Sequence, residues 1–417
     1  MKVLHLSTLD HLGGAFIAAR RLHGALRKRE DIDSEFCVAQ KHSDTPDTVA
    51  IHNALTYSLR RNLERLPLKL TSANGIAYQS LAWLPNQKLT RHVRSAKPDV
   101  VHLQWTQNGF VPLGALAKFD APLVWTFHDM WGFTGMYHHE YGEPPRCEGT
   151  YDRKPDGIRG FDIDGWVWKR KQRSYNGLEM CGVVPSRWMA EKARTSSLWK
   201  DRRLEVIPNG IDTDVYKPAD RSFARKLFNL PADANVVLFG AMFADEDKNK
   251  GFAPMMEALE TLKAQGGHEN LHLAVFGIGE CPQEVTLPFP ASFFGVLRDE
   301  ASMAALYSAA DVMVVPSLQE SFGLTACEAL SCGTPVACFD TSGLRDIVDH
   351  EENGYRAKPF DPVDLASGID SMLKSRTTRI AYGREGREKV EREFDLNVVA
   401  ARHHDLYREL AKAKTKA

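Results

Sequence analysis

The segment Gln319-Glu320-Ser321-Phe322-Gly323-Leu324-Thr325-Ala326-Cys327-Glu328 sets two carboxylates apart with seven residues between them. An apolar run, Val312 to Val315, precedes the segment, and a second, Val336 to Phe339, follows Cys332-Gly333-Thr334-Pro335. The whole reads as one strand-helix-strand crossover between buried parallel strands. Its helix is expected to start near Gly323, with unbonded amides and a positive dipole end facing the carboxyl edge of the sheet, where a phosphate can be held. Glu320 then stands at the helix mouth and Glu328 more than a turn inside, so both can reach one ligand. A bare Glu-x7-Glu also arises on solvated helix faces. Here the flanking strands, the Ser-Phe-Gly turn and the Cys-Gly-Thr-Pro exit all agree with the crossover.

Three other places offer matching chemistry. Lys250-Gly251 follows the strand Val236 to Phe239 after a polar loop, Asp245 to Asn249, where a cation can meet an anionic ligand or simply sit in solvent. Gly13-Gly14 comes after the strand Val3 to Ser7 and opens a helix whose Ile17, Leu22 and Leu26 face inward; glycine there permits close backbone approach, or just a tight turn. His128-Asp129 ends the strand Leu123 to Phe127 at its carboxyl end, the side on which such sheets bind ligands, although a lone histidine is commonly a satisfied core residue. His138 and His139 lack a third ligand at metal-binding spacing, and Asp162-Ile163-Asp164 has the Asp-x-Asp spacing by chance. Gly277-Ile278-Gly279 lacks a third glycine and does not open the first crossover, which argues against a nicotinamide site.

Glu320-x7-Glu328 with Ser-Phe-Gly after the first Glu and Gly-Thr-Pro-Val closing the unit resembles family 4 of the retaining, nucleotide-sugar-dependent glycosyltransferases. The resemblance covers most of the chain, strongest from about Gly295 to Pro359, clear at Ile207 to Asp212 and at His128, and weak between residues 30 and 95. It implies the GT-B fold, an α/β pair of Rossmann-like doubly wound domains across a cleft, with the last helices crossing back to the first domain. It further implies that Glu328 binds both ribose hydroxyls and that Glu320 lies near the reacting carbon of the donor sugar. Ser321, Phe322, Gly323, Leu324, Thr325 and Gly14 would hold the donor, and backbone around Val296 would read the base. Lys250 would neutralise the diphosphate and so stabilise charge on the leaving group. The family's usual arginine after the strand glycine is missing: Ala241 follows Gly240, and either Lys248 or a residue of the other domain would have to substitute. His128 would approach the transferred sugar, with Gly13 and Asp129 on the acceptor side. The resemblance implies no cofactor and no metal, the leaving phosphate taking the acceptor's proton on the same face.

The bulk numbers fit this reading. A chain of 417 residues with 43% hydrophobic side chains suits two domains. The expected division is 1–212, acceptor-binding; 213–394, nucleotide-sugar-binding; and 395–417, a helix returning to the first domain. Strand-like runs alternate with amphipathic helical segments in two series, as doubly wound parallel sheets require. The segment from Met130 to Gly165 lacks either periodicity and reads as an ordered insertion.

A net charge of -1, from 53 basic and 54 acidic side chains, argues against a nucleic-acid binder. Residues 51–100 nevertheless carry a net charge of +6 interleaved with leucines, a pattern that suits an anionic membrane surface or a polyprenyl-diphosphate acceptor, and equally a solvated helix pair. Seven scattered cysteines without a Cys-x-x-Cys pair read as reduced thiols, which places the chain in the cytoplasm, at the inner face of the membrane if residues 51–100 dock there. The expected partners are a UDP- or GDP-sugar donor and a glycan or lipid-linked saccharide acceptor, as in surface polysaccharide synthesis. A phosphorylase or nucleotide-sugar hydrolase on the same fold, and a non-catalytic nucleotide-sugar-binding protein, are the alternatives.

Overall fold

A computed structural model describes residues 1–10, 13–70, 79–139, 146, 151, 160–240, 247–280 and 286–416. The chain divides into two compact units, Met1–Pro208 with Ala400–Ala417, and Asn209–Val399.

The first unit is built on seven strands among the described residues: β1 (Lys2–Ser7), β2 (Asp33–Val38), β3 (Thr48–Ala50), β4 (Val100–Leu103), β5 (Leu123–Thr126), β6 (Met180–Val184) and β7 (Arg203–Val206). They lie parallel in the order β3-β2-β1-β4-β5-β6-β7, so the winding reverses between β1 and β4. The helices of this unit are α1 (Gly14–Arg27), α2 (Ala54–Arg65), α3 (Gln87–Ala96), α4 (Ile163–Tyr175) and α5 (Arg187–Thr195). Leu4 and Leu6 point to the main core, while register pairs His5 with His102 on the other face of the sheet.

The second unit has six strands among the described residues: β8 (Asn235–Gly240), β9 (Leu271–Phe276), β10 (Ala291–Phe293), β11 (Val312–Val315), β12 (Val336–Phe339) and β13 (Gly354–Ala357). All pairs are parallel, in the order β10-β9-β8-β11-β12-β13, and the winding reverses between β8 and β11. Its helices are α6 (Arg221–Leu227), α7 (Phe252–Gln265), α8 (Glu300–Ala309), α9 (Leu324–Ser331), α10 (Leu344–Ile347), α11 (Pro362–Lys374) and α12 (Arg376–Lys389); α13 (Leu396–Lys416) closes the chain. Strand alternation divides the core into two layers. Val236 and Leu238 pack with Ala326, Ala329 and Leu330 of α9, whereas Val237 and Phe239 pack with Met255, Leu259 and Leu262 of α7. Each buried leucine contributes about 2 kcal/mol, so α7 and α9 are held on opposite faces of the sheet. They leave it at the same place, the reversal between β8 and β11. This is the position at which a doubly wound sheet opens a crevice for ligands.

The expected two-series α/β architecture is therefore the observed one, two parallel doubly wound sheets. Two edge strands, β3 and β13, lie outside the expected runs. The expected insertion also ends earlier than Gly165: Asp162 caps α4, its side chain accepting from the Gly165 amide at 2.9 Å. Cys37, Cys181, Cys327, Cys332 and Cys338 are free and buried. Among the described residues no helix is long and apolar enough to cross a membrane.

Candidate active site

The loops that leave β8 and β11 are tied together backbone to backbone. Leu318 donates its amide to the Asn249 carbonyl at 2.9 Å, and the Asn249 side-chain amide donates to the Gln319 carbonyl at 2.7 Å. Gly251 has a φ of 74°, and a Cβ there would run into the Pro316 carbonyl oxygen, so glycine is required for this approach. The result is that Lys250 Nζ donates to Glu320 Oε1 at 2.8 Å, with side chains 25% and 18% exposed. Lys250 and Glu320 are 70 residues apart in sequence and meet at the reversal of the sheet.

Beside this pair α9 begins. Gly323 is its cap residue, in the left-handed region, and the first amide to bond back within the helix is that of Cys327, to the Gly323 carbonyl at 3.1 Å. The amides of Leu324, Thr325 and Ala326 thus have no partner within the helix and, with the dipole, favour an anion. Glu328 lies one turn further in, 6% exposed, and accepts from the Tyr307 hydroxyl at 3.0 Å. Burial, with the Glu328 charge adding to it, pushes the Tyr307 phenol well above its ordinary value, so it stays a donor and fixes that carboxylate oxygen. The Phe322 ring does not belong to this surface. It is 1% exposed and packs edge-on against Phe394 with centroids 5.6 Å apart, which leaves only its backbone for a ligand. Val296 is 47% exposed on the loop after β10. The turn that carries it is held by Gly277 donating to the Gly295 carbonyl at 2.6 Å. Ala241 to Asp245 lie outside the described residues; Lys248 is exposed.

In the first unit, Gly13 caps α1 with a φ of 93° and Gly14 is exposed as the first helical residue, at the carboxyl end of β1. His128, half-buried after β5, donates through Nε2 to Gln104 Oε1 at 2.9 Å, which leaves Nδ1 as an acceptor. Burial lowers its pKa to about 4, so it is neutral at pH 7. Asp129, expected on the acceptor side, has both carboxylate oxygens engaged locally. Its Oδ1 accepts from the Trp131 amide at 2.9 Å and its Oδ2 from Trp105 Nε1 at 2.9 Å and His138 Nδ1 at 2.7 Å. Burial opposes ionisation of Asp129, but the His138 charge and hydrogen bonds outweigh it and bring its pKa to about 2. The carboxylate is consumed in shaping the 129–138 turn. Lys171, fully buried, donates to the carbonyls of Trp131, Thr134 and Gly135 from beneath the same turn. Asp162 and Asp164 both grip Arg146, at 3.0 and 2.7 Å from Nη1, which gives that Asp-x-Asp pair a structural use.

Several residues had no sequence signal. Asn249 and Tyr307 act through single hydrogen bonds to distant loops or helices. Asp10, beside the Gly13-Gly14 turn, accepts from the His42 and Ser43 amides, the nearer contacts being 2.8 and 2.9 Å. A polar residue after β1 was the one available hint.

Residues 12–215 match the model of Glycosyltransferase Family 4, and residues 220–389 that of the Glycosyl transferases group 1. A D-inositol 3-phosphate glycosyltransferase of Thermobispora bispora is 30% identical over 97% of this chain and 93% of its own length. One of the same description from Mycobacterium bovis is 30% identical over 73% of this chain and 58% of its own length. Among solved structures, sucrose-phosphate synthase from Thermosynechococcus elongatus superposes with a TM-score of 0.68 at 23% identity, covering 99% of this chain and 100% of that one. WaaG, a glycosyltransferase involved in lipopolysaccharide biosynthesis, gives 0.67 at 16% identity, covering 98% and 99%. These neighbours share the two-domain GT-B fold, and the chain belongs to the group 1, family 4 glycosyltransferases.

Proposed function

We propose that this glycosyltransferase moves a hexosyl group from a UDP- or GDP-sugar to a glycan or lipid-linked saccharide, with retention and without a metal, in surface polysaccharide synthesis. The observation that carries the donor half is the Lys250–Glu320 pair beside the α9 amino terminus, with Glu328 one turn behind it. In this reading the α9 amides and Lys250 take the diphosphate oxygens, and their positive charge grows in effect as the leaving group becomes anionic. Glu328, with one oxygen fixed by Tyr307, accepts from the ribose hydroxyls. Glu320 exchanges its contact with Lys250 for one beside the sugar's reacting carbon, where a carboxylate stabilises an electron-poor ring. The bond from that carbon to the diphosphate oxygen breaks, the bond to the acceptor oxygen forms on the same face, and the acceptor's proton passes to the departing phosphate. His128 of the first unit, neutral at pH 7, keeps Nδ1 as an acceptor for a hydroxyl donor. The description of the 30% identical relatives supports a second acceptor class, a small phosphorylated polyol.

Thermal-shift measurement with UDP-, GDP- and ADP-sugars tests the donor half, since donor at a hundred times its dissociation constant stabilises by about 2.7 kcal/mol. Glu328→Gln keeps an acceptor for Tyr307 and so should leave the unliganded Tm nearly unchanged while weakening UDP or GDP about tenfold or more. Undiminished nucleotide affinity in that variant excludes the ribose assignment. Product analysis by NMR, with lipid-linked saccharide and phosphorylated polyol as competing acceptors, decides the acceptor class and the anomeric outcome.

The proposal includes a membrane contact, narrowed to one helix face. Leu55, Leu59 and Leu63 of α2 and the adjoining Leu66 are 80%, 60%, 42% and 50% exposed. Arg61, Arg65 and Lys69 are exposed beside them, while Glu64, the helix's acidic residue, is 1% exposed and turned inward to the Leu81 amide at 3.1 Å. An anionic bilayer fits this combination, each cation contributing about 1 kcal/mol at the surface. The protein should float with vesicles containing phosphatidylserine, and Arg61→Glu with Arg65→Glu should abolish flotation. Equal recovery with neutral and anionic vesicles would remove the contact.

A further inference from the structure

Glu320 sits in a loop without regular structure, yet both its backbone groups are held. Its amide donates to the Ser342 hydroxyl at 3.0 Å, and its carbonyl accepts from the Gly343 amide at 2.8 Å. Ser342 and Gly343 form the turn that leaves β12, on the side of Glu320 away from Asn249. A Cβ on Gly343 would stand 2.6 Å from the Ser321 carbonyl oxygen and 2.8 Å from that of Glu320, so the two loops are in backbone contact. Ser342 is 2% exposed and has a φ of 52°. That is the left-handed region, which disfavours every side chain except glycine and, to a lesser degree, asparagine and aspartate. Glycine would relieve the backbone but would leave the Glu320 amide without its partner.

We propose that Ser342 is a positioning residue for Glu320, its hydroxyl fixing the carboxylate's backbone at the cost of a strained turn. The inference rests on the reading of Glu320 given above. Strain retained beside a reacting group is expected where the surrounding structure over-determines it. Here Asn249 and the Ser342-Gly343 turn hold the loop from opposite sides, so the direction in which Glu320 leaves the backbone follows from both. A carboxylate that must move between Lys250 and a sugar needs a fixed pivot, and small misplacement of such a group costs rate rather than donor affinity.

Two variants separate the hydroxyl from the strain. Ser342→Ala keeps the left-handed side chain and removes the hydroxyl; Ser342→Gly removes both. Both should lower kcat about tenfold or more with the donor KM within about twofold, and both should lose hydrogen-exchange protection at the Glu320 amide. Ser342→Gly should melt no lower than Ser342→Ala, since both lose the hydroxyl and only glycine relieves the turn. Unchanged kcat in Ser342→Gly, a loss confined to Ser342→Ala, or a fall in kcat with the Glu320 amide still protected would each overturn the proposal. Glu320→Gln is assayed alongside. Full activity there sinks the reading of the site itself, whereas an inactive Glu320→Gln with a fully active Ser342→Gly sinks only the positioning role.

Discussion

Glu320→Gln is expected to lower kcat by roughly two to four orders of magnitude while the Tm moves by about 2 °C or less. On the proposed reading of Glu320, the rate effect follows from removing a negative charge beside the reacting carbon, where one fixed electrostatic group is worth most. The small stability effect follows from the geometry. The Lys250–Glu320 pair spans 2.8 Å between side chains 25% and 18% exposed, and such pairs contribute at most about 1 kcal/mol. The glutamine oxygen still accepts from Lys250, and the backbone tethers to Ser342 and Gly343 do not depend on the charge. Single-turnover rates with saturating donor separate chemistry from binding. A variant that retains turnover at the parent rate removes Glu320 from the reaction, whatever its effect on KM.

The second large effect concerns acid. His5, His23 and His102 are fully buried in the first unit and close together: His5 lies 5.1 Å from His102 and 5.8 Å from His23, centroid to centroid. His403 and Tyr407 of α13 complete the group, with Tyr407 Oη 2.6 Å from His102 Nδ1. Burial lowers all three histidines, His23 to about 4 and the other two well below their ordinary value, and neighbouring charges, His23 itself beside His5, lower them further. Asp47 beside His23 acts in the opposite direction and is outweighed.

The sign is fixed by these directions. Above pH 6.5 both folded and unfolded forms are neutral, and the cluster costs nothing. As pH falls from 6.5 toward 4, the unfolded histidines take up protons that the folded ones refuse, so stability is lost at about 1.4 kcal/mol per group per pH unit. Three groups over one and a half pH units amount to about 6 kcal/mol, comparable with the whole stability of a domain. Calorimetry should therefore show the first unit's transition collapsing between pH 6.5 and 5. The second unit should resist longer, since no comparable group of fully buried histidines lies among its described residues. Depressed carboxylates such as Asp47 and Glu35, both near 2, add their loss at lower pH. Transitions of the two units that stay in step through this range would refute the cluster's role.

What the sequence made legible follows physical lines. Central parallel strands such as Val312–Val315 and Val336–Phe339 are buried on both faces, so they appear as unbroken apolar runs and their limits could be read directly. Thr48–Ala50 and Gly354–Ala357 form edge strands of three and four residues, half exposed and mixed in character, and carry no such signal. Lys250 and Glu320 were singled out because charged residues at the carboxyl ends of buried parallel strands stand out in sequence, and the structure brings the two together. Ser342 and Asn249 were not, since each acts on a backbone group 22 or 70 residues away and almost any polar side chain can do that. Asp129 shows the reverse case. The resemblance implied a place on the acceptor side, while its hydrogen bonds inside the turn involve Trp105 and His138, which no local pattern connects to it.

The two charges at the mouth of the second sheet are anchored in separate interiors. Lys250 precedes α7, whose Leu259 and Leu262 fill one layer, and Glu320 precedes α9, whose Leu330 fills the other. Shortening a side chain in either layer lets one helix settle without the other, and the spacing of the pair changes though neither partner has been touched. Attempts to harden this enzyme by interior redesign should therefore treat both layers as a matched set, and should score candidates by turnover before heat resistance.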